Sequence, residues 1–136
     1  DVDGASSTAL LAKYLKEIGQ PFNLFITDRI KNGYGPSIEG FNHLIKDGAK
    51  IIITVDCGTS TYEPIQSAQK LKVDVIVLDH HQADIKVPNA CAIVNPNQFD
   101  DTSGLNYLCA AGVCFVFLVG LNKKLRESEW FKKIAL

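Results

Sequence analysis

Residues 51–56 read Ile-Ile-Ile-Thr-Val-Asp, and residues 73–79 read Val-Asp-Val-Ile-Val-Leu-Asp. Each run of β-branched and aliphatic residues ends in an aspartate, and such runs are typical of strands that are covered on both faces. Segments with the apolar spacing of amphipathic helices lie before and after these two runs. The alternation predicts an α/β fold with a parallel β-sheet sandwiched by helices.

The predicted helix ends and the remaining elements complete this pattern. Ser6 or Ser7 is expected to cap the first helix, which Gly19 ends. Pro36 and Ser37 open the second helix, and Gly48 closes it. The remaining predicted elements are strands at residues 22–26 and 91–94 and helices at residues 61–71 and 108–125.

Length and composition exclude several classes of protein. The chain has 136 residues, with 14 Lys and Arg against 15 Asp and Glu, and 46% of it is hydrophobic. This suits one domain with its own core, and the balanced charge excludes binding of nucleic acid through bulk basicity. The longest apolar run, residues 108–121, is shorter than the roughly 20 residues that span a bilayer, so no membrane association is expected. The four cysteines form no CxxC pair, and a chain this hydrophobic does not need a disulfide framework. We therefore expect the protein to work in a reducing cytoplasm.

Acidic and imidazole side chains stand just past three expected strand ends. They are Asp1 and Asp3, then Asp56, then Asp79 with His80 and His81. Because the carboxyl ends of parallel strands meet at one edge of a sheet, we expect these groups to lie together. Carboxylates gathered in this way repel one another unless a cation lies among them, and carboxylate with imidazole suits Mn²⁺. The sequence therefore predicts a divalent-metal site, in which a bridging carboxylate can hold two ions that bind a phosphoryl group and a water.

Other functions share parts of this pattern. An aspartate after a strand is often only a helix cap. The Asp-x-Asp-Gly of residues 1–4 is also similar to the opening motif of haloacid-dehalogenase phosphatases, and an acidic pair followed by a strand-end aspartate is similar to phospho-accepting receiver domains. Neither alternative accounts for Asp79-His80-His81, and Asn95-Pro96 stands near the place where a receiver carries a lysine.

Taken together, the motifs resemble the DHH phosphoesterase superfamily, which is named for the triplet at residues 79–81. Five further segments are similar to motifs of that family. They are residues 1–7 (DVDGASS), 28–35 (DRIKNGYG), 54–58 (TVDCG), 94–96 (VNP) and 110–113 (AAGV). The resemblance extends over nearly the whole chain and is closest to the bacterial exonucleases specific for single-stranded DNA.

The resemblance implies a metal-binding role for four residues. Asp1 would ligate one Mn²⁺ (or Mg²⁺) ion, and Asp3 would ligate a second. Asp56 would bridge both ions, and His80 would complete part of the second site. The implied cofactor is therefore a pair of Mn²⁺ (or Mg²⁺) ions.

The resemblance also implies which residues meet the substrate. His81 would contact the scissile phosphate. Asp79 would orient the histidines without binding the metal itself. Arg29 would hold phosphate at the 5′ side, since a guanidinium binds phosphate bidentately, or it would form a surface ion pair with Asp28 or Glu39. Tyr34 would stack on a base or sugar, or pack in a turn.

The implied activity is metal-dependent hydrolysis of phosphodiesters by a 5′→3′ exonuclease, which releases mononucleotides from single-stranded DNA in DNA repair and recombination. The implied partners are single-stranded DNA, a single-strand-binding protein and a recombination helicase, in the cytoplasm of a bacterium. Two alternatives stay open. The first is another enzyme of the superfamily, acting on short RNA, phosphoadenosine phosphate or pyrophosphate. The second is a non-catalytic binding module, which the retained acids and histidines argue against.

The chain departs from the family pattern at its ends. The family carries a histidine before the first aspartate and a later metal-binding aspartate, which we expect upstream of Asp1 and after Leu136. The first strand of the sheet and a second domain that closes over the DNA are also expected outside this chain. Residues 1–136 are therefore expected to form a partial DHH catalytic domain that is incomplete at both ends and inactive alone.

Overall fold

A computed structural model of the chain describes residues 1–27 and 35–127. Its three strands, all parallel, form one sheet in the order β1-β2-β3. They are β1 (Ile51–Val55), β2 (Asp74–Leu78) and β3 (Ala92–Val94). The register pairs Val55 with Leu78 and Leu78 with Val94, so the last residues of the three strands lie at one level. The predicted parallel α/β sheet is confirmed.

Helices cover both faces of this sheet. In chain order they are α1 (Val2–Glu17), α2 (Ile38–Lys46), α3 (Tyr62–Lys70) and α4 (Ala110–Glu127). Because side chains alternate along a strand, Val75 and Val77 of β2 pack in the core under α2 and α3, and Leu78 packs in the core under α1 and α4. Among the described residues no helix is long and apolar enough to cross a membrane.

The first helix begins earlier than predicted. Its N-cap is Asp1, whose side chain accepts a hydrogen bond of 3.0 Å from the N–H of Gly4. Ser6 and Ser7 lie inside the helix, and their hydroxyls donate to the carbonyls four residues earlier at 2.6 and 2.7 Å. The prediction of a serine cap is wrong because the side chain of Asp1 already caps the helix through the N–H of Gly4, and a serine within a helix can bond back to its own preceding turn.

The strand predicted at residues 22–26 is not formed, since residues 21–27 have no regular secondary structure. No described strand pairs with this segment, and without a partner an apolar stretch cannot build a ladder. Phe25 packs on α2 instead, where a methyl group added to Gly40 would lie 2.7 Å from its ring. The other predicted elements lie close to their expected positions.

The turn that follows β1 requires unusual backbone conformations. Asp56 has φ +59°, in the left-handed region that aspartate tolerates better than most residues. Gly58 has φ +122°, and a methyl group there would lie 2.6 Å from Oγ1 of Thr54 and 2.9 Å from Cγ1 of Val77. Only glycine fits this position without displacing the strands beneath it.

Substitution Gly58→Ala should weaken the local stability of β1 and β2 by about 3 kcal/mol, because the methyl group strains the backbone and meets two side chains. Hydrogen exchange of the β1 and β2 amides in the full-length protein measures this change. Gly120→Ala is the matched control, since Gly120 lies in α4 with nothing within 4 Å of an added methyl group. The control should be neutral or stabilising by up to about 1 kcal/mol. Equal protection in Gly58→Ala and wild type would contradict this explanation of the turn.

Candidate functional site

The carboxyl edge of the sheet presents the residue that follows each strand. Because the strand ends are in register, Asp56, Asp79 and Asn95 begin at the same level. Backbone bonds extend the pairing beyond the strands. The N–H of Asp56 donates to the carbonyl of Leu78 at 2.9 Å, and the N–H of Asp79 donates to the carbonyl of Val94 at 3.1 Å. Three polar side chains therefore start side by side at one edge.

Two carboxylates and an imidazole meet in front of this edge. Nε2 of His80 lies 3.3 Å from Oδ1 of Asp56 and 3.5 Å from Oδ2 of Asp3. Asp56, His80 and His81 also each offer one ligand atom, and these atoms lie within 4.8 Å of one another. Carboxylate oxygens with imidazole nitrogens form a donor set that suits a divalent cation.

Asp1 lies beside the same cluster. A methyl group added to Gly4 would lie 3.1 Å from Oδ2 of Asp56 and 3.6 Å from Oδ1 of Asp1. The glycine therefore leaves room for two carboxylates from different elements to approach one space. Asp1 is exposed, whereas Asp56 is half-buried.

Asp3 is held by the N-terminus of α4. Its Oδ2 accepts a hydrogen bond of 2.7 Å from the N–H of Ala110, and its Oδ1 accepts one of 2.9 Å from the N–H of Ala111. Burial by itself would raise the pKa of Asp3, but these bonds, led by that from Ala111, outweigh it and lower the pKa. Asp3 therefore stays ionised, and a carboxylate that accepts two such bonds keeps lone pairs for a further partner.

Asp79 is buried and binds the turn that carries the two histidines. Its Oδ1 accepts bonds from the N–H of His80 at 2.8 Å and from Nδ1 of His81 at 2.7 Å, and its Oδ2 accepts one from the N–H of Thr59 at 3.0 Å. Burial by itself would raise the pKa of Asp79, but the hydrogen bonds, led by that from His81, lower it. The same bond raises the pKa of His81. Both oxygens of Asp79 therefore serve protein groups.

Cys57 takes no part in this donor set. Burial, together with the nearby carboxylates of Asp79 and Asp56, raises the pKa of its thiol to about 12. Its Sγ donates to the carbonyl of Val55 at 3.3 Å. Burial therefore favours the protonated thiol, which is a weaker metal ligand and nucleophile than the thiolate.

Most of the predicted site residues meet at this edge of the sheet. Those that do are Asp1, Asp3, Asp56, Asp79, His80 and His81. The two predicted substrate-binding residues, Arg29 and Tyr34, lie outside the described residues, so their roles stay predictions.

Reasoning from the sequence missed two asparagines as site residues. Nδ2 of Asn95 donates to the carbonyl of His81 at 2.9 Å, and Nδ2 of Asn97 donates to the carbonyl of His80 at 2.5 Å. Asn95 directly follows β3, so the strand-end rule that located the aspartates applies to it as well. Nothing in the sequence marks Asn97.

A family model described as the DHH family, N-terminal domain, matches residues 1–135. The chain is also similar to the single-stranded-DNA-specific exonuclease RecJ of Escherichia coli, with 36% identity over 132 residues, and to that of Bacillus subtilis, with 36% identity over 115 residues. These matches cover 96% and 85% of this chain, but 23% and 15% of the relatives. The chain thus spans a quarter or less of the length of these curated relatives.

Two solved structures share the architecture. One is exonuclease RecJ bound to manganese, with a TM-score of 0.81 and 30% identity, which covers 92% of this chain and 31% of that one. The other is RecJ from Thermus thermophilus in complex with Mn²⁺, with a TM-score of 0.72 and 27% identity, which covers 92% of this chain and 17% of that one. Since the family model matches almost every residue and these structures reproduce the fold, the chain belongs to the DHH family.

Proposed function

We propose that this chain carries much of the active site of a metal-dependent 5′→3′ exonuclease, which degrades single-stranded DNA to mononucleotides in DNA repair and recombination. One observation carries the proposal, namely that Nε2 of His80 lies within 3.5 Å of the carboxylates of both Asp3 and Asp56. The curated relatives are exonucleases specific for single-stranded DNA, and the two solved structures hold manganese.

The proposed ligands of two divalent cations, Mn²⁺ or Mg²⁺, are Asp1, Asp3, Asp56 and His80. Asp56 suits the bridging position because its two oxygens face different neighbours. Oδ1 lies near His80, and Oδ2 lies near Gly4 on the side of Asp1. When bound, such cations neutralise phosphate charge and lower the pKa of a water that attacks phosphorus. The residues of this chain hold the carboxylates and the imidazole in place for them.

The proposed substrate contacts lie on the exposed side of the same cluster. The side chain of His81 is 61% exposed, and its ring lies 4.8 Å from that of His80. The bond to Asp79 fixes the ring through Nδ1 and leaves Nε2 for the scissile phosphate. Arg29 is proposed to hold phosphate at the 5′ side, and Tyr34 is proposed to stack on a base or sugar.

The proposed contacts are made to phosphate or by stacking, and both carry little base information, so no sequence preference is expected. The formal net charge is −1, which offers no bulk attraction for DNA. We therefore propose that bound cations and a second domain outside this chain supply the positive charge. The second domain is also proposed to enclose the DNA strand. A single-strand-binding protein and a recombination helicase are the proposed protein partners, in a bacterial cytoplasm.

Substitution Asp56→Asn in the full-length protein should lower hydrolysis of 5′-labelled single-stranded DNA by at least about 100-fold, because the bridging charge serves both cations. Asparagine readily adopts the left-handed backbone of this position, so circular dichroism should be unchanged. Asp74→Asn is the matched control, since Asp74 is exposed at the opposite end of β2. Activity of Asp56→Asn within about threefold of wild type would count against the metal centre.

The choice of substrate separates the exonuclease from its relatives. With Mn²⁺, the full-length protein should release mononucleotides from the 5′ end of a labelled single strand and spare a blunt duplex, and chelation should stop the release. Short RNA, phosphoadenosine phosphate and pyrophosphate are assayed in parallel. Preference for one of these would identify another DHH phosphoesterase, whereas no hydrolysis of any phosphoester would indicate a binding module.

A further inference from the structure

We infer that Asn95 and Asn97 are positioning residues, which fix the backbone of the histidine turn (residues 80–81) and thereby direct His80 toward the carboxylates. The inference rests on the proposed function for the identity of the metal centre. Its geometry rests on hydrogen bonds between the loop that follows β3 and the turn that follows β2.

Side chains satisfy the backbone of the histidine turn from both directions. The carbonyl of His80 accepts from Nδ2 of Asn97 at 2.5 Å, and the carbonyl of His81 accepts from Nδ2 of Asn95 at 2.9 Å. The N–H groups of the same two residues donate to Oδ1 of Asp79 at 2.8 and 3.3 Å. The backbone hydrogen bonds between β2 and β3 end just before this turn. Beyond that point, the side chains of Asp79, Asn95 and Asn97 bond to its backbone groups instead.

The amide of Asn95 has one consistent orientation. The residue is 2% exposed, and its Nδ2 also donates to Oγ1 of Thr59 at 2.9 Å. Its Oδ1 accepts from the N–H of Asn97 at 2.8 Å. Exchange of the amide oxygen and nitrogen would set an acceptor against the carbonyl of His81 and a donor against the N–H of Asn97. The two asparagines therefore act as one hydrogen-bonded unit.

This unit determines where the ring of His80 points. The ring contacts the carboxylates of Asp3 and Asp56, which are proposed ligands of the same cations and repel one another without them. The direction of the ring therefore depends on the backbone of His80, which Asn97 and Asp79 hold. Loss of a group that orients a metal ligand typically weakens metal binding by about 10- to 100-fold.

Binding of Mn²⁺ to the full-length protein, followed by the electron paramagnetic resonance of free Mn²⁺, separates positioning from simple stabilisation. Asn97→Ala should weaken binding by about 10-fold, because His80 loses the donor that fixes its carbonyl. Gln98→Ala is the matched control, since Gln98 belongs to the same loop but donates to the carbonyls of Ile93 and Asn95. The control should bind Mn²⁺ as wild type does.

The steady-state kinetics of the same variant complete the test. Asn97→Ala should lower kcat on single-stranded DNA and leave KM unchanged, because its effect passes through a metal ligand. Asn97 rather than Asn95 is substituted because Asn97 is half-buried and Asn95 is buried, so the fold tolerates truncation of Asn97 better.

Equal Mn²⁺ affinity in Asn97→Ala and wild type would overturn the inference, and so would an equal loss in Gln98→Ala, which would indicate general loosening of the loop. If Asn97→Ala weakens Mn²⁺ binding and Gln98→Ala does not, but the wild-type protein leaves DNA intact, the positioning role is supported and only the proposed exonuclease activity is overturned. Wild-type protein that binds no Mn²⁺ would overturn both.

Discussion

The register of the parallel ladder determines the site, because it pairs the last residue of β1 with that of β2 and the last residue of β2 with that of β3. The next residues, Asp56, Asp79 and Asn95, consequently start at one level. Side chains alternate along a strand, so a slip of one residue would turn a site residue toward the opposite face. Burial of Val75 and Val77 on one face of β2, and of Leu78 on the other, opposes such a slip.

The negative charges of the acids at this edge are stabilised in different ways. Asp3 accepts two N–H groups from the start of α4, and Asp79 accepts N–H groups together with the ring of His81. Asp56 instead faces His80 from a left-handed backbone conformation. Protein groups therefore relieve the repulsion at Asp3 and Asp79, and the space between Asp56 and His80 is where a divalent cation would relieve the rest.

The strands were predictable because β-branched runs encode burial locally, and the meeting of the acids was predictable because parallel strands share a carboxyl edge. The segment at 22–26 was mispredicted, since a strand needs a partner that local sequence does not reveal. Asp1 was predicted as a ligand, and its second role as the cap of α1 was missed. The bonds from Asn97 to His80 and from Ala110 to Asp3 join residues distant in sequence, so no local pattern could indicate them.

Anomalous diffraction at the manganese absorption edge, from crystals of the full-length protein grown with Mn²⁺, tests the metal centre most directly. Anomalous density is predicted in contact with Asp56 and His80, with oxygens of Asp1 and Asp3 completing its surroundings. Manganese density elsewhere in the molecule, with none beside Asp56 and His80, would contradict the assignment of this edge of the sheet as the metal centre.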